Sequence, residues 1–426
     1  MNGRQFLRGL DARRPPGVEF DLRAQEVSPL SAAPSGVPLF VGLARRAPFT
    51  IAAGPHAHGP DVHRFTRWEQ FAGAYGERVT DWLACAVRGF FENGGRVCHV
   101  LLVGTGIDEH EWNDAQATRL ADALCEPFRE GGLLESFDDA DLICVPDAMH
   151  ERVALSVDPV IRIQTAVVAH CGRMGDRFAI LDAFAGSPDA GFVDPRDPAA
   201  GPIAQWQSLP PAHGAIYFPW IQVHGLGHAL SDRFVPPCGH VAGVYARSDR
   251  REGPHKPPAN ELLEGVVDLG MSIDDHTLAT LNEAGVNCLC ESAGWGIRVW
   301  GARTLSDRPA WMYVNATRVM LAFKRWLEQD LRDVVFEPNS PVLWTFIAER
   351  IEHRCEALFR HGALKGQTAR QAWFVKCDAE TNAQFDGDSG MVIADIGLAP
   401  AAPAEFVVVR LTQSADRVTA SVPAFL

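Results

Sequence analysis

The chain has 426 residues, 47% of them hydrophobic and 22% charged, with a formal net charge of −14 at pH 7. A chain of this length outgrows a single hydrophobic core, so more than one domain is expected. The acidic balance, without any basic cluster, argues against coating a nucleic acid, and no run approaches the ~20 uncharged apolar residues of a membrane span.

Residues 1–35 read as an extended N-terminal arm. Pro15, Pro16, Pro29 and Pro34 break any helix, while Val18-Glu19-Phe20-Asp21-Leu22 alternates with the period of a strand. The first residues contain no apolar segment of a signal peptide. The ten cysteines fall mostly in apolar runs and read as buried free thiols, which suits assembly in a reducing cytoplasm. Val37–Leu43 predicts a buried strand, followed by a Gly/Pro/His loop over 47–60.

Between 64 and 245, helical stretches (Phe65–Phe71, Trp82–Phe91) alternate with apolar strands at Arg96–Val103, Asp141–Pro146, Arg177–Asp182 and Ala215–Ile221. That alternation predicts an α/β layer around a largely parallel sheet buried on both faces. Pro188–Pro211 reads as a surface loop. Further on, the run Gly296–Leu305 places Ile297, Val299 and Trp300 in a packed sheet, with Gly296 and Gly301 at turns or close approaches.

Asn315 is expected to cap a helix that buries Val319, Met320, Phe323 and Leu327. Ser340 and Pro341 open a second helix, whose stripe Leu343, Ile347, Ile351 and Leu358 ends at Gly362. Strands follow at Trp373–Cys377, Met391–Leu398 and Glu405–Leu411. The last is apolar on both faces and needs cover on both.

Short chemical motifs have plainer explanations. Gly387-Asp388-Ser389-Gly390 imitates a protease nucleophile tetrad but reads as a polar turn in an α/β chain. Val103-Gly104-Thr105-Gly106 resembles a dinucleotide turn, yet Glu109 stands where the third glycine belongs and acids follow. The pairs His56/His58, His224/His228 and Cys288/Cys290 lack the companions of a metal site. Asp274 reads as a helix cap. Asp138 with Asp139, and Glu349 with Glu352, are expected in a chain of 53 acids. No catalytic, metal or cofactor-binding residue is assigned, no cofactor is expected, and the chain does not read as an enzyme.

A series of segments points elsewhere: Pro16–Phe20, Gly36–Leu43, Phe65–Phe71 with Tyr75-Gly76, and Phe90–Arg96. Val235–Arg247, Asn282–Asn287, Gly296–Leu305, Tyr313–Asn315, Val335–Asn339, Gly362–Leu364, Trp373–Asp378 and Pro403–Phe406 follow in order. Together they resemble the contractile tail sheath proteins of bacteriophages, tailocins and extracellular injection particles. Residues 105–215 match only in their strand pattern.

The resemblance implies a mixed α/β and α+β fold: an arm over 1–35, an α/β domain over 36–234 with a more variable outer part around 105–215, a C-terminal α+β core over 235–400, and an arm and tail over 401–426. It also implies a structural subunit that stacks with copies of itself in six-fold rings around an inner tube protein. Baseplate and terminator or cap proteins would be the other partners, without nucleic acid or membrane insertion. Inter-subunit strand exchange would use Val18, Glu19, Phe20 and Leu22 in one arm. In the other it would use Glu405, Phe406, Val407, Val408, Val409 and Leu411. Arg350, Arg354 and Arg360 on the Pro341–His361 helix are the tube-facing candidates. The alternatives are a type VI secretion sheath, for which the proline-rich start offers no N-terminal helix, and an α/β hydrolase or dehydrogenase.

Overall fold

The computed structural model describes residues 35–45, 62–76, 79–106, 108–185, 191–225, 232–292, 294–334, 337–382, 392–403, 410–414 and 417–421. Val18, Glu19, Phe20 and Leu22, Glu405–Val409, the Gly387–Gly390 tetrad, His56, His58 and His228 lie outside the described residues.

In chain order the elements begin with β1 (Pro38–Leu43), β2 (Val62–Phe65), α1 (Trp68–Tyr75), α2 (Asp81–Glu92), β3 (Cys98–Val103) and α3 (Ala117–Cys125). They continue with β4 (Leu142–Cys144), α4 (Val157–Met174), β5 (Phe178–Asp182), α5 (Pro202–Ser208), β6 (Gly214–Phe218), β7 (Ile221–Val223) and β8 (Arg233–Val235). Next come α6 (Cys238–Glu252), β9 (Glu261–Leu262), β10 (Val266–Leu269), α7 (Asp275–Glu283), β11 (Val286–Ser292) and β12 (Gly296–Trp300). The last are α8 (Val314–Asp330), α9 (Pro341–Arg360), β13 (Trp373–Lys376), β14 (Asp395–Leu398), β15 (Arg410–Ser414) and β16 (Arg417–Ser421).

Nine strands share one sheet in the order β2-β3-β1-β4-β5-β6-β11-β12-β9. The strands from β3 to β11 in that order run parallel. β2, β12 and β9 join antiparallel at the two edges. Alternate residues supply two separate cores. Phe40, Cys144, Phe178, Ile180 and Tyr217 face α2 and α6, while Leu39, Val41, Ile143, Leu181 and Ile216 face α3, α4 and α7. Burial on both faces explains why these strands read as continuous apolar runs.

Helices α2 and α6 approach at backbone distance. A Cβ on Gly239 would lie 2.1 Å from the Ala86 carbonyl oxygen, and one on Gly243 would lie 2.6 Å from that of Phe90. On the other side of the contact Gly89 leaves room for the His240 ring.

The division expected between 234 and 235 does not fall at a break in the sheet. α6 packs across β4 and β5, and β11 adds to β6 in parallel, so residues 238–300 complete the sheet of the preceding region. Residues 105–215 also supply β4 and β5 from within it. A distinct core lies further on, where Phe323, Trp326, Ile347, Ile351, Cys355 and Cys377 pack with one face of β13 and β14.

Several local expectations are met. Thr277 donates its backbone N–H to the Asp274 cap, and Leu343 donates to Ser340. Gly362 follows α9 at φ +74°, and Gly296 and Gly301 also have positive φ.

Others need correction. Asn315 lies inside α8, which is preceded by Tyr313, and its amide reaches other segments instead of capping the helix. Met320 and Leu327 are only half-buried. The 188–211 segment contains α5, whose Gln205 is buried and bonds to Phe184 N and Gln164. Trp300 is 44% exposed: along β12 Ile297 and Val299 turn inward, which sends Trp300 to the other side. Of the expected strand Glu405–Leu411 only Arg410 and Leu411 are described residues, and they lie in β15; residues 417–421, expected as tail, pair with it as β16.

Candidate functional site

Helix α8 carries the junction where residues 35–37 and 399–401 meet the folded core. Arg318, 3% exposed, directs its guanidinium at Asp249 on α6, with Nη1 2.8 Å from Oδ1, and at Asp141 ahead of β4, 3.2 Å away. The same group stacks over the Tyr245 ring at 4.8 Å. Burial works against its charge, but Asp249 and Asp141 outweigh it and raise its pKa above the ordinary arginine value. A buried guanidinium persists only when paired in this way.

These carboxylates hold the start of the described chain. Asp141 accepts the backbone N–H groups of Gly36 (3.0 Å) and Val37 (2.6 Å). Ser35 Oγ donates to Asp249 Oδ2 at 2.5 Å and accepts from Arg318 Nη2 at 3.3 Å. Gly36 has φ +73° and crosses α6 so closely that a Cβ would lie 2.6 Å from the Ala246 Cα, so no other residue fits without displacement.

One turn away, buried Asn315 donates to the carbonyls of Ala401 (2.9 Å) and His255 (3.0 Å). The Ala401 N–H donates to Ala363 O, and Lys365 N–H to Ala399 O. This pins the segment that leaves β14 just before the chain's last described hairpin. Sequence reasoning missed both residues. Asn at a helix start reads as a cap, and a lone Arg reads as exposed.

Beyond α8 stands the β13–β14 ladder, with Trp373 opposite Leu398, Phe374 opposite Gly397, Val375 opposite Ile396 and Lys376 opposite Asp395. Trp373, Val375, Ile396 and Leu398 face the α8–α9 core. The other face presents Phe374, 58% exposed, lying across Gly397. No third strand joins this ladder or β15–β16 among the described residues. Its packing on α8 and α9 supports the β13–β14 ladder, whose edges carry no further strand among the described residues.

The tube-facing candidates differ among themselves. Arg350 is tied to Asp330 and Asp333, each at 2.7 Å, and lies over Phe346. Arg354 stacks on Trp326 at 5.1 Å. Both fasten α9 to the end of α8, whereas Arg360 pairs with Glu356 and is 75% exposed. On the same helix Val342 and Phe346 are exposed apolar side chains. Leu411 lies in β15 opposite Ala420.

Elsewhere, a cavity of about 320 Å³ is lined by Trp82, Met149, Phe192, Trp220, Arg233 and Phe234, among others. Its walls are largely apolar, and Arg233 is already paired with Asp81 at 2.5 Å. Near it, buried Asp147 accepts from Leu43 N–H at 2.6 Å and Thr80 Oγ at 2.5 Å. Burial pushes its carboxyl up to about 6 despite those bonds.

Val103–Gly106 leads into short single turns at Glu109–Glu111 and Asp114–Gln116, not into a helix start, and Glu109 is paired with Arg45 at 2.9 Å. His224 pairs with Asp232. Cys288 is buried, and Cys290, half-buried, has its thiol pushed up to about 11 by burial. Among the described residues no group of three His, Cys, Asp or Glu side chains has the geometry to hold a metal ion, and no helix is long and apolar enough to cross a membrane.

Residues 139–305 match the family described as phage tail sheath protein central domain. The tail sheath protein of Escherichia phage P2 is 28% identical over 174 residues, covering 39% of this chain and 42% of that protein. The match thus spans less than half the length of this curated relative. A chain in the six-fold-symmetrised baseplate of the anti-feeding prophage aligns over 94% of this chain and 99% of its own, at 26% identity and a TM-score of 0.68. The contracted helical sheath of the same particle aligns over 94% and 99%, at 25% identity and a TM-score of 0.63.

Proposed function

We propose that this chain, which is homologous to the contractile tail sheath proteins, is a sheath subunit that stacks in six-fold rings around an inner tube and contracts to drive that tube through a target envelope. The observation that carries the reading is the junction on α8. The core closes between Ser35 and Ala401, with both points fixed to one helix. Strand-like sequence then remains on either side, at Val18–Leu22 and Glu405–Leu411.

Such segments suit β-augmentation, in which main-chain hydrogen bonds join separate chains. The β13–β14 ladder offers them edges to extend. Donation to a neighbour is a head-to-tail contact, and such contacts propagate into helical assemblies. Each shared bond contributes ~1 kcal/mol net, so two five-residue arms hold neighbours together by several kcal/mol while letting them rotate. Contraction then needs no nucleotide: the extended lattice is a higher-energy state, and release shifts the population to the contracted one.

The inner tube, baseplate and terminator proteins are the partners in this reading. Arg360 with Val342 and Phe346 forms the most open part of the α9 face offered to the tube. Synthesis is in the bacterial cytoplasm, and the product is a phage tail or tail-like particle.

The test is deletion of residues 1–24 or 402–426. Each should leave a folded monomer that does not form tubes. Normal tubes from both truncations would refute the arm-exchange reading.

A further inference from the structure

The Asn315 and Arg318 contacts have a consequence for how the two ends behave together. The residues are three apart on α8, so they lie on one face, about 4.5 Å apart along its axis. Arg318 binds the N-terminal root through Ser35 directly and through Asp141, which receives Gly36 and Val37. Asn315 binds the C-terminal root through the Ala401 carbonyl. Both also hold the end of α6 and the turn after it, through Asp249 and the His255 carbonyl.

The first half of α8 is packed in the sheet core by Val314 and Leu321. The second half is packed in the satellite core by Phe323 and Trp326. One helix is therefore the common support of both chain-end roots and of the core beneath the β13–β14 ladder.

We propose that Asn315 and Arg318 are positioning residues that couple the two ends of the chain through α8, so that loosening one root loosens the other. This rests on the sheath reading only for its use. In a polymer whose subunits hold neighbours by both ends, the coupling would transmit displacement at one arm root to the other within a single subunit. The two sets of contacts meet only through α8, and residues coupled through a shift of shared backbone commonly show interaction energies equivalent to several-fold changes in an opening equilibrium.

The primary test is Ser35→Ala in the full-length chain, followed by hydrogen exchange with peptide-level mass spectrometry. This substitution removes one hydroxyl and leaves Arg318 paired with Asp249 and Asp141, so the fold should persist. Exchange should rise about tenfold across residues 35–38 and at least threefold across 399–403, with the β4 and β5 amides unchanged. The reciprocal variant, Asn315→Ala, should raise exchange across 399–403 by at least tenfold and across 35–38 by at least threefold.

If Ser35→Ala affects only residues 35–38, the two roots are independent and the coupling is wrong. Should Asn315→Ala fail to fold, the Ser35→Ala result decides alone. The exchange experiment reads the chain itself, so a failed coupling leaves the sheath reading standing. Tubes formed by both arm deletions would remove the arm-exchange reading whatever the exchange result.

Discussion

The ring of His240 lies where a side chain on Gly89 would begin. A Cβ there would fall 2.2 Å from the imidazole, and His240 is itself buried between α2 and α6. Burial lowers its pKa to about 3, so the ring is neutral in the folded chain and packs as an aromatic plate. The α2–α6 contact is the main support of one face of the sheet, so this fit matters for the whole fold. Gly89→Ala should destabilise the chain by about 3 kcal/mol through overpacking, read as a lower urea midpoint with an unchanged slope. A loss below roughly 0.5 kcal/mol, the range of a neutral surface change, would mean that the helices separate freely.

Asp182, at the end of β5, accepts the Cys238 backbone N–H at 2.7 Å, and burial pushes its carboxyl up to about 7. Because the folded value lies above the ordinary one, the folded chain holds a proton that the unfolded chain has released. This group's contribution to stability is full below about pH 4 and is lost as pH rises through about 7. Asp182→Asn keeps an acceptor for Cys238 and removes that loss. It should raise stability at about pH 8 by on the order of 3 kcal/mol, with the difference vanishing towards pH 4. Urea midpoints across that range give the sign directly, and equal pH slopes for the two proteins would contradict it.

The ten cysteines are all free, eight of them buried, with Cys125 and Cys290 partly accessible. Burial raises both of the latter thiols, Cys290 to about 11, so neither is thiolate-rich at neutral pH. Native alkylation followed by intact-mass measurement should show slow modification of at most these two sites. Reductant should leave the thermal midpoint unchanged. Fast labelling of more than two thiols would show that the cores around Cys98, Cys144 and Cys288 open readily.

Phe374 covers Gly397 on the outward face of the β13–β14 ladder. Phe374→Lys should change monomer stability by less than about 1 kcal/mol, because the side chain is already largely exposed. It should nonetheless suppress tube formation by setting a charge on the surface proposed to receive neighbouring strands. Normal tubes from this variant, viewed by negative-stain microscopy, would move the assembly surface away from this ladder.

The sheet was legible in the sequence because its parallel strands are buried on both faces, and runs such as Cys98–Val103 and Phe178–Asp182 carry that burial in composition alone. The caps at Asp274 and Ser340 were legible because a cap bonds to its own helix. The junction on α8 was not. Asp249 and Asp141 lie 69 and 177 residues from Arg318 in the chain, and nothing local distinguishes a buried paired arginine from a solvated one. Asn315 has the composition of a cap and the contacts of a tether. Trp300 reads as an inward residue because its ring is large and apolar, but the period-two alternation of β12 gives the inward positions to Ile297 and Val299. The β15–β16 hairpin escaped notice because Arg417–Ser421 is too polar to announce a strand.

The central claim, that copies of this chain build a contractile tube, is tested most directly by electron microscopy of the purified full-length protein over a range of concentration and salt. The account predicts hollow helical tubes built from stacked six-fold rings, with the chain's two ends crossing between neighbouring subunits. Monodisperse single chains under every condition, or tubes in which each subunit's ends fold back on its own core, would contradict it.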